Sequence, residues 1–182
     1  ATAEEVFGVI LNFAGYGFNK AHASAYAFLA FITAYLKAHY PTDFMAASIS
    51  CEVGDTDKVV PLIEECDELG LQVLPPDINE SREEFTPVGE SGLRFGLEAV
   101  KNVGSKAVQA VVAAREAGGP FASLFDFCER VDMQDVSRGA IEALMKAGCF
   151  DALPGNRAQQ LAVLETAVKV GARARKDRAQ GQ

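Results

Sequence analysis

From Ala21 to His39 the chain runs without a glycine or a proline, and apolar residues fall on every side of the helix that such a run forms. A surface helix keeps one polar face, so this pattern predicts a buried element that needs cover all round. Pro41 then breaks the run, and Thr42 or Asp43 is placed to cap a following helix through Ser50. Aromatic residues crowd the same region: Phe7, Phe13, Tyr16, Phe18, Tyr26, Phe28, Phe31, Tyr35, Tyr40 and Phe44. The most apolar part, Ala25 to Leu36, is interrupted by Thr33. It falls short of the ~18–20 residues that cross a bilayer. With no basic start followed by an apolar stretch and a small-residue cleavage site, the expectation is a cytoplasmic protein with no membrane contact.

With 182 residues, 49% of them hydrophobic and 23% charged, the chain has material for one ordinary domain or two small ones, and wholesale disorder is excluded. Its net charge of −8 is unevenly spread. Residues 51–90 hold Lys58 and Arg82 against twelve acidic side chains, whereas residues 151–182 hold six basic and three acidic ones. The global balance speaks against a dedicated nucleic-acid binder, but local charge decides phosphate contact. Cys51, Cys66, Cys128 and Cys149 include no closely spaced pair of the zinc-binding kind and read as reduced thiols.

In the acidic middle, Asp57 is expected to cap a helix from Lys58 to Leu69, with Val59, Leu62, Ile63 and Cys66 on one face and Gly70 ending it. Leu71-Gln72-Val73-Leu74 alternates like a short strand before Pro75-Pro76. A second strand, Gly92 to Leu97, is placed to pair with residues around Phe85 in a small two-stranded β element. Helices resume over 96–178, punctuated at Asn102-Val103-Gly104, Gly118-Gly119-Pro120, Gly148 and Pro154-Gly155. The last helix starts at about Arg157, capped by Asn156, and the basic stretch from Ala172 onward is expected to fray. The fold class is mainly α.

Three stretches carry chemistry. In Gly96 to Val108, a short helix ending at Lys101, a tight turn at Gly104 and a helix capped by Ser105 make the layout of a helix–hairpin–helix unit. Unpaired N–H groups at the start of such a helix, with the positive end of its dipole, receive an anion. Lys101 and Lys106 flank the turn, with Asn102 in it. The plain alternative is a corner between two packed helices. A second unit lies at Ile141 to Asp151, where Gly148 serves equally well as an ordinary helix stop. The third is Phe13 to Ala23, where Gly15 and Gly17 bracket Tyr16 and Asn19, Lys20 and His22 gather at the start of the long helix. That cluster suits a phosphate-bearing ligand, or else is a loop with a capping Asn19. No Ser-His-Asp set, HExxH, phosphate-binding P-loop or G-x-G-x-x-G is present, and two histidines limit acid–base schemes.

Phe13-Ala-Gly-Tyr-Gly-Phe-Asn-Lys-Ala-His-Ala, Ala34-Tyr-Leu-Lys-Ala-His-Tyr-Pro41 and Phe44-Met-Ala-Ala closely resemble the fingers domain of the bacterial C-family replicative DNA polymerases. Leu74-Pro-Pro-Asp-Ile-Asn79, Arg94-Phe-Gly-Leu97, Lys101-Asn-Val-Gly104, Gly119-Pro-Phe121, Asp126-Phe127 and Ala147-Gly-Cys-Phe-Asp151 continue the resemblance in register, over about residues 5–165.

The resemblance implies four parts: the end of the fingers at 1–50, an acidic connector at 51–92, a tandem helix–hairpin–helix region at 93–165 and a basic tail at 166–182. It implies part of a DNA-directed DNA polymerase, with Asn19 and Lys20 near the triphosphate of an incoming deoxynucleotide and His22 against its sugar. Where the family usually has Ser, this chain has Ala21, so a hydroxyl contact there is absent. Asn19-Lys20 matches the replicative form, whereas the error-prone paralogues tend to carry Pro-Glu. Lys101, Asn102, Gly104, Ser105 and Lys106 would hold duplex primer-template DNA without reading its bases. No catalytic residue and no cofactor is expected within this chain. Mg²⁺ would be held by palm-domain aspartates elsewhere in the polypeptide. The implied partners are DNA, nucleotide, the rest of the polymerase chain, and the sliding clamp and other replisome subunits through regions outside this chain. The start at Ala1 leans toward a piece of a longer chain, in a bacterial, nucleoid-associated setting, and with no Leu-Phe after Gln180-Gly-Gln182 the family's clamp contact is expected to be missing here. The competing reading is a free-standing helix–hairpin–helix DNA-binding or scaffold protein without catalysis.

Overall fold

A computed structural model describes residues 2–15 and 19–180. Tyr16, Gly17 and Phe18, part of the glycine-bracketed motif, lie outside the described residues. The chain divides into two compact units, one ending at Pro41 and one running from Thr42.

The first unit holds helices α1 (Ala3–Gly15) and α2 (Lys20–His39). The uninterrupted run is indeed one helix, but its expected burial is not found: no α2 residue is buried, and Tyr26, Phe28 and Phe31 are 60–67% exposed. An element apolar on all sides needs neighbours on all sides, and among the described residues of this unit α1 is the only other helix.

The second unit begins with α3 (Pro41–Cys51), in which Pro41 occupies the first helical position, where its missing N–H costs nothing. Helix α4 (Thr56–Glu68) follows, preceded by Asp55 rather than by the expected Asp57, which lies inside the first turn. Gly70 (φ +73°) ends α4 as expected. The Gly70 N–H donates to Asp67 C=O and the Leu71 N–H to Cys66 C=O, which satisfies two terminal carbonyls and buries Leu71.

The small β element is present and contains a third strand. Strand β3 (Gly92–Arg94) lies between β1 (Gln72–Leu74), parallel, and β2 (Thr86–Val88), antiparallel. Leu93 pairs with Val73 on one side and with Pro87 on the other. Pro87 is tolerated because β2 is an edge strand. Met45, Ile49, Cys66, Leu71, Phe85 and Leu93 pack into a small core between α3, α4 and the sheet.

The larger core belongs to α5 (Ser105–Gly118), α6 (Leu124–Arg130), α7 (Arg138–Ala147) and α8 (Arg157–Ala179). Its centre is a chain of edge-to-face rings, Phe121–Phe127 at 5.0 Å and Phe127–Phe150 at 5.1 Å between centroids. Phe95 touches both cores. Helices α6 and α8 cross so closely at Gly171 that a Cβ there would lie 2.2 Å from the Cys128 carbonyl oxygen.

The basic stretch from Ala172, expected to fray, continues as helix to Ala179. Its cations hold the end of α6: Arg175 donates to the Cys128 and Val131 carbonyls, and Arg178 lies 3.1 Å from Glu129. Terminal carbonyls without intrahelical partners attract such cations.

Candidate nucleic-acid interface

The first hairpin is tighter than its sequence indicates. Its leading helix is a single 3₁₀ turn, Leu97–Ala99, rather than a helix reaching Lys101, because the backbone turns extended at Val100. Asn102 then takes a left-handed conformation at φ +68°, one that Asn tolerates better than other side chains. Val103 is buried, donates its N–H to Val100 C=O at 3.1 Å and anchors the turn.

Gly104, not Ser105, caps α5. Its carbonyl accepts from the N–H groups of Ala107 and Val108, so Ser105 is already the first helical residue. A glycine cap offers no side-chain acceptor, so no side chain caps the leading N–H groups of α5, and Gly104, Ser105 and Lys106 are exposed. Gly104 sits at an ordinary φ of −85°, and a Cβ placed on it would meet nothing within 4 Å. The fold does not require a glycine here; its absence of bulk leaves the helix start open to close approach. Exposed Lys101 stands beside the turn, on the rim of a cleft of about 930 Å³ whose opposite side is α7, with Ser137, Glu142 and Lys146. Lys106 points elsewhere: its Nζ lies 2.7 Å from Asp135 Oδ1, on the loop between α6 and α7. The Asp135 hydrogen bond and charge, with a smaller push from Asp132, hold the Lys106 ammonium above its ordinary pKa.

This corner is braced by side chains that the sequence reading passed over. Arg130 lies over the Phe121 ring at 4.5 Å and donates to the carbonyls of Ala114 and Gly119, closing the far end of α5. Asn79 pairs with the Phe121 backbone in both directions, accepting at 2.7 Å and donating at 3.0 Å. Arg115 donates to the carbonyls of Ile78 and Ser81, and its burial lowers its pKa from the usual guanidinium range. A local pattern does not reveal side chains that bind backbone 34 to 42 positions away.

At the second hairpin side chains cap the start of the following helix. Gly148 is left-handed at φ +91°, and its N–H and that of Cys149 donate to Met145 and Leu144 C=O. Asn156 caps α8 as expected: its side chain accepts from Gln159 N–H while the Gln159 side chain accepts from Asn156 N–H, each at 3.0 Å. Arg157 pairs with Asp151 at 2.5 Å, and buried Gln160 donates to Phe150 C=O from inside the loop.

In the first unit, Asn19, Lys20 and His22 come together at the start of α2. Asn19 Oδ1 accepts from His22 N–H at 3.1 Å, Lys20 is exposed, and the His22 ring lies 4.5 Å from that of Tyr26. Among the described residues, no group of three or more His, Cys, Asp or Glu side chains is arranged to hold a metal ion. No described helix is long and apolar enough to cross a membrane.

Two helix pairs joined by turns, the first opening α5 on a bare glycine, define a class that comparison with known families makes explicit. A helix-hairpin-helix motif family model matches residues 70–160, half of the chain, and the chain belongs to that family. Over nearly its whole length it is similar to DNA polymerase III subunit alpha. It is 51% identical to the Thermus aquaticus protein over 95% of this chain, 46% identical to that of Neisseria meningitidis serogroup B over 91%, and 45% identical to that of Pasteurella multocida over 99%. The chain spans 14–16% of the length of these relatives.

Proposed function

We propose that this chain is part of a DNA-directed DNA polymerase, in which its hairpin region holds the duplex by its backbone and the start of α2 lines the incoming-nucleotide side of the fingers. The observation that carries the duplex reading is the open N-terminus of α5, where Gly104 presents uncapped N–H groups with Lys101 alongside. A phosphate placed there accepts hydrogen bonds and meets the positive end of the helix dipole, and no base edge is read. The nucleotide reading rests on Asn19, Lys20 and His22 sharing the first turn of α2.

A free-standing hairpin protein is the less economical reading. The similarity to polymerase subunits covers 91–99% of the chain and so takes in most of α1 and α2, outside the hairpin family match at 70–160. The exposed aromatic surface of α2 is then cover-seeking surface for the rest of the polymerase chain. Catalysis by Mg²⁺ would belong to residues elsewhere in that longer chain.

Duplex binding by this chain tests the reading. With roughly 2–4 phosphates neutralised, log K against log salt has an expected slope of about −2 to −4, without sequence preference. A salt-independent affinity or a marked preference for one sequence overturns it. In the whole polymerase, Lys20→Ala is expected to weaken ribo- and deoxynucleotide incorporation alike, and His22→Ala to relax the ratio between them.

A further inference from the structure

We propose that Asp135 is an electrostatic gate on the first hairpin, holding Lys106 away from duplex phosphate and lowering the grip of the α5 N-terminus. The inference rests on the duplex reading above and adds a residue that opposes it. Lys106 is the second residue of α5, beside the uncapped N–H groups, and its side chain is 80% exposed, free to reach several directions. It nevertheless meets Asp135 Oδ1 at 2.7 Å. Asp132 adds a second negative charge on the same loop. A phosphate arriving at Gly104 therefore encounters a cation already paired with one carboxylate and under the charge of a second.

The loop does not need Asp135 for its shape. Asp132 Oδ1 accepts from Gln134 N–H at 2.9 Å, and Asp132 C=O accepts from the N–H groups of Asp135 and Val136 at 3.1 and 2.9 Å. Val136 is fully buried and pins the turn. Asp135 supplies a side chain whose described contact is with Lys106. A carboxylate so placed makes the hold on the duplex adjustable: when enough phosphates are engaged elsewhere, Lys106 can exchange Asp135 for phosphate, and on release it returns.

The test is fluorescence anisotropy of the 182-residue chain with a short mixed-sequence duplex across a salt series, for the wild type, Asp135→Asn, Lys101→Gln and Lys106→Gln with Asp135→Asn. Asp135→Asn is isosteric and is expected to bind about two- to tenfold more tightly at ~50 mM salt, with a slope steeper by about 1 as Lys106 engages a phosphate. Adding Lys106→Gln should return the slope to the wild-type value. An Asp135→Asn affinity equal to or below wild type, while Lys101→Gln still weakens binding, overturns the gate and leaves the duplex reading standing. Binding insensitive to Lys101→Gln, or no binding by wild type and Asp135→Asn alike, overturns the duplex reading and the gate with it. Circular dichroism melting of each variant establishes that the compared proteins are equally folded.

Discussion

At the first hairpin a helix starts on a glycine with no side-chain cap, an open space where a Cβ would be, and cations nearby. At the second, the helix starts inside a reciprocal cap made by Asn156 and Gln159, and the preceding glycine is forced by the backbone. A Cβ on Gly148 would lie 2.4 Å from Arg157 Nη2, the movable end of a long side chain, so it is the left-handed backbone at φ +91° that demands glycine there. The same residue type thus marks an opening in one hairpin and a closure in the other. A helix N-terminus whose donors are met by its own side chains has little left for a ligand, and one left bare has donors to give.

The contrast is largest in thiol chemistry. Cys149, directly after Gly148, is fully buried, and burial, with the nearby Asp77 charge adding to it, pushes its pKa up to about 12. In a Cys51→Ser background, which removes the exposed thiol, Ser105→Cys places a thiol at the open start of α5. At pH 8 a thiol reagent is expected to modify the introduced thiol on the order of 10³-fold faster than Cys149, because a helix N-terminus favours the thiolate and burial opposes it. Similar rates would erase the distinction. The same burial has a stability consequence. The folded-state pKa of Cys149 is raised from its ordinary 9.0, so its contribution is complete below about pH 9 and declines as pH rises toward 12. Unfolding free energy should therefore fall with pH across that window, and less so in Cys149→Ala measured against its own value at pH 7.

Matched glycine substitutions come next. Gly148→Ala is expected to cost about 1–2 kcal/mol from the left-handed backbone alone and to lower Tm by about 3–8 °C. Gly104→Ala should stay within about 0.5 kcal/mol of wild type while weakening duplex binding. Equal thermal losses would mean that both glycines are structural. Asn156→Ala, removing the second hairpin's cap, should cost about 1 kcal/mol in thermal or denaturant melts without altering duplex affinity. The smallest effect is Asn102→Gly, which relieves the left-handed strain and should stabilise the fold by roughly 0.5 kcal/mol.

Both hairpins were legible in the sequence because their signals are local: Gly104 and Gly148 at helix boundaries, Asn156 three residues before Gln159. What separates them was less legible. Gly104 and Gly148 look alike as letters, and the difference lies in φ and in Arg157, which reaches back over the turn. The pairing of Lys106 with Asp135 joins the start of α5 to a loop that no helical or strand period connects to it. The segments of all three strands were legible, but not that β1 joins the sheet: it pairs in parallel with β3 while β2 intervenes in the chain, a relation with no turn signal of its own. The exposure of α2 is the converse case: the apolar pattern states a need for burial, and the described unit supplies only α1 to meet it. The basic tail showed no apolar period, yet Arg175 stabilises it through two backbone carbonyls of α6.

Titrating the ¹⁵N-labelled chain with a mixed-sequence duplex at low salt would read the two helix starts side by side. The expected result is large amide shift changes at Gly104, Ser105 and Lys106 that fade as salt is raised, with Asn156 to Gln159 unmoved. Shifts centred on residues 156–159, or absent from 104–106 while DNA is bound, would contradict the assignment of the open hairpin as the phosphate contact.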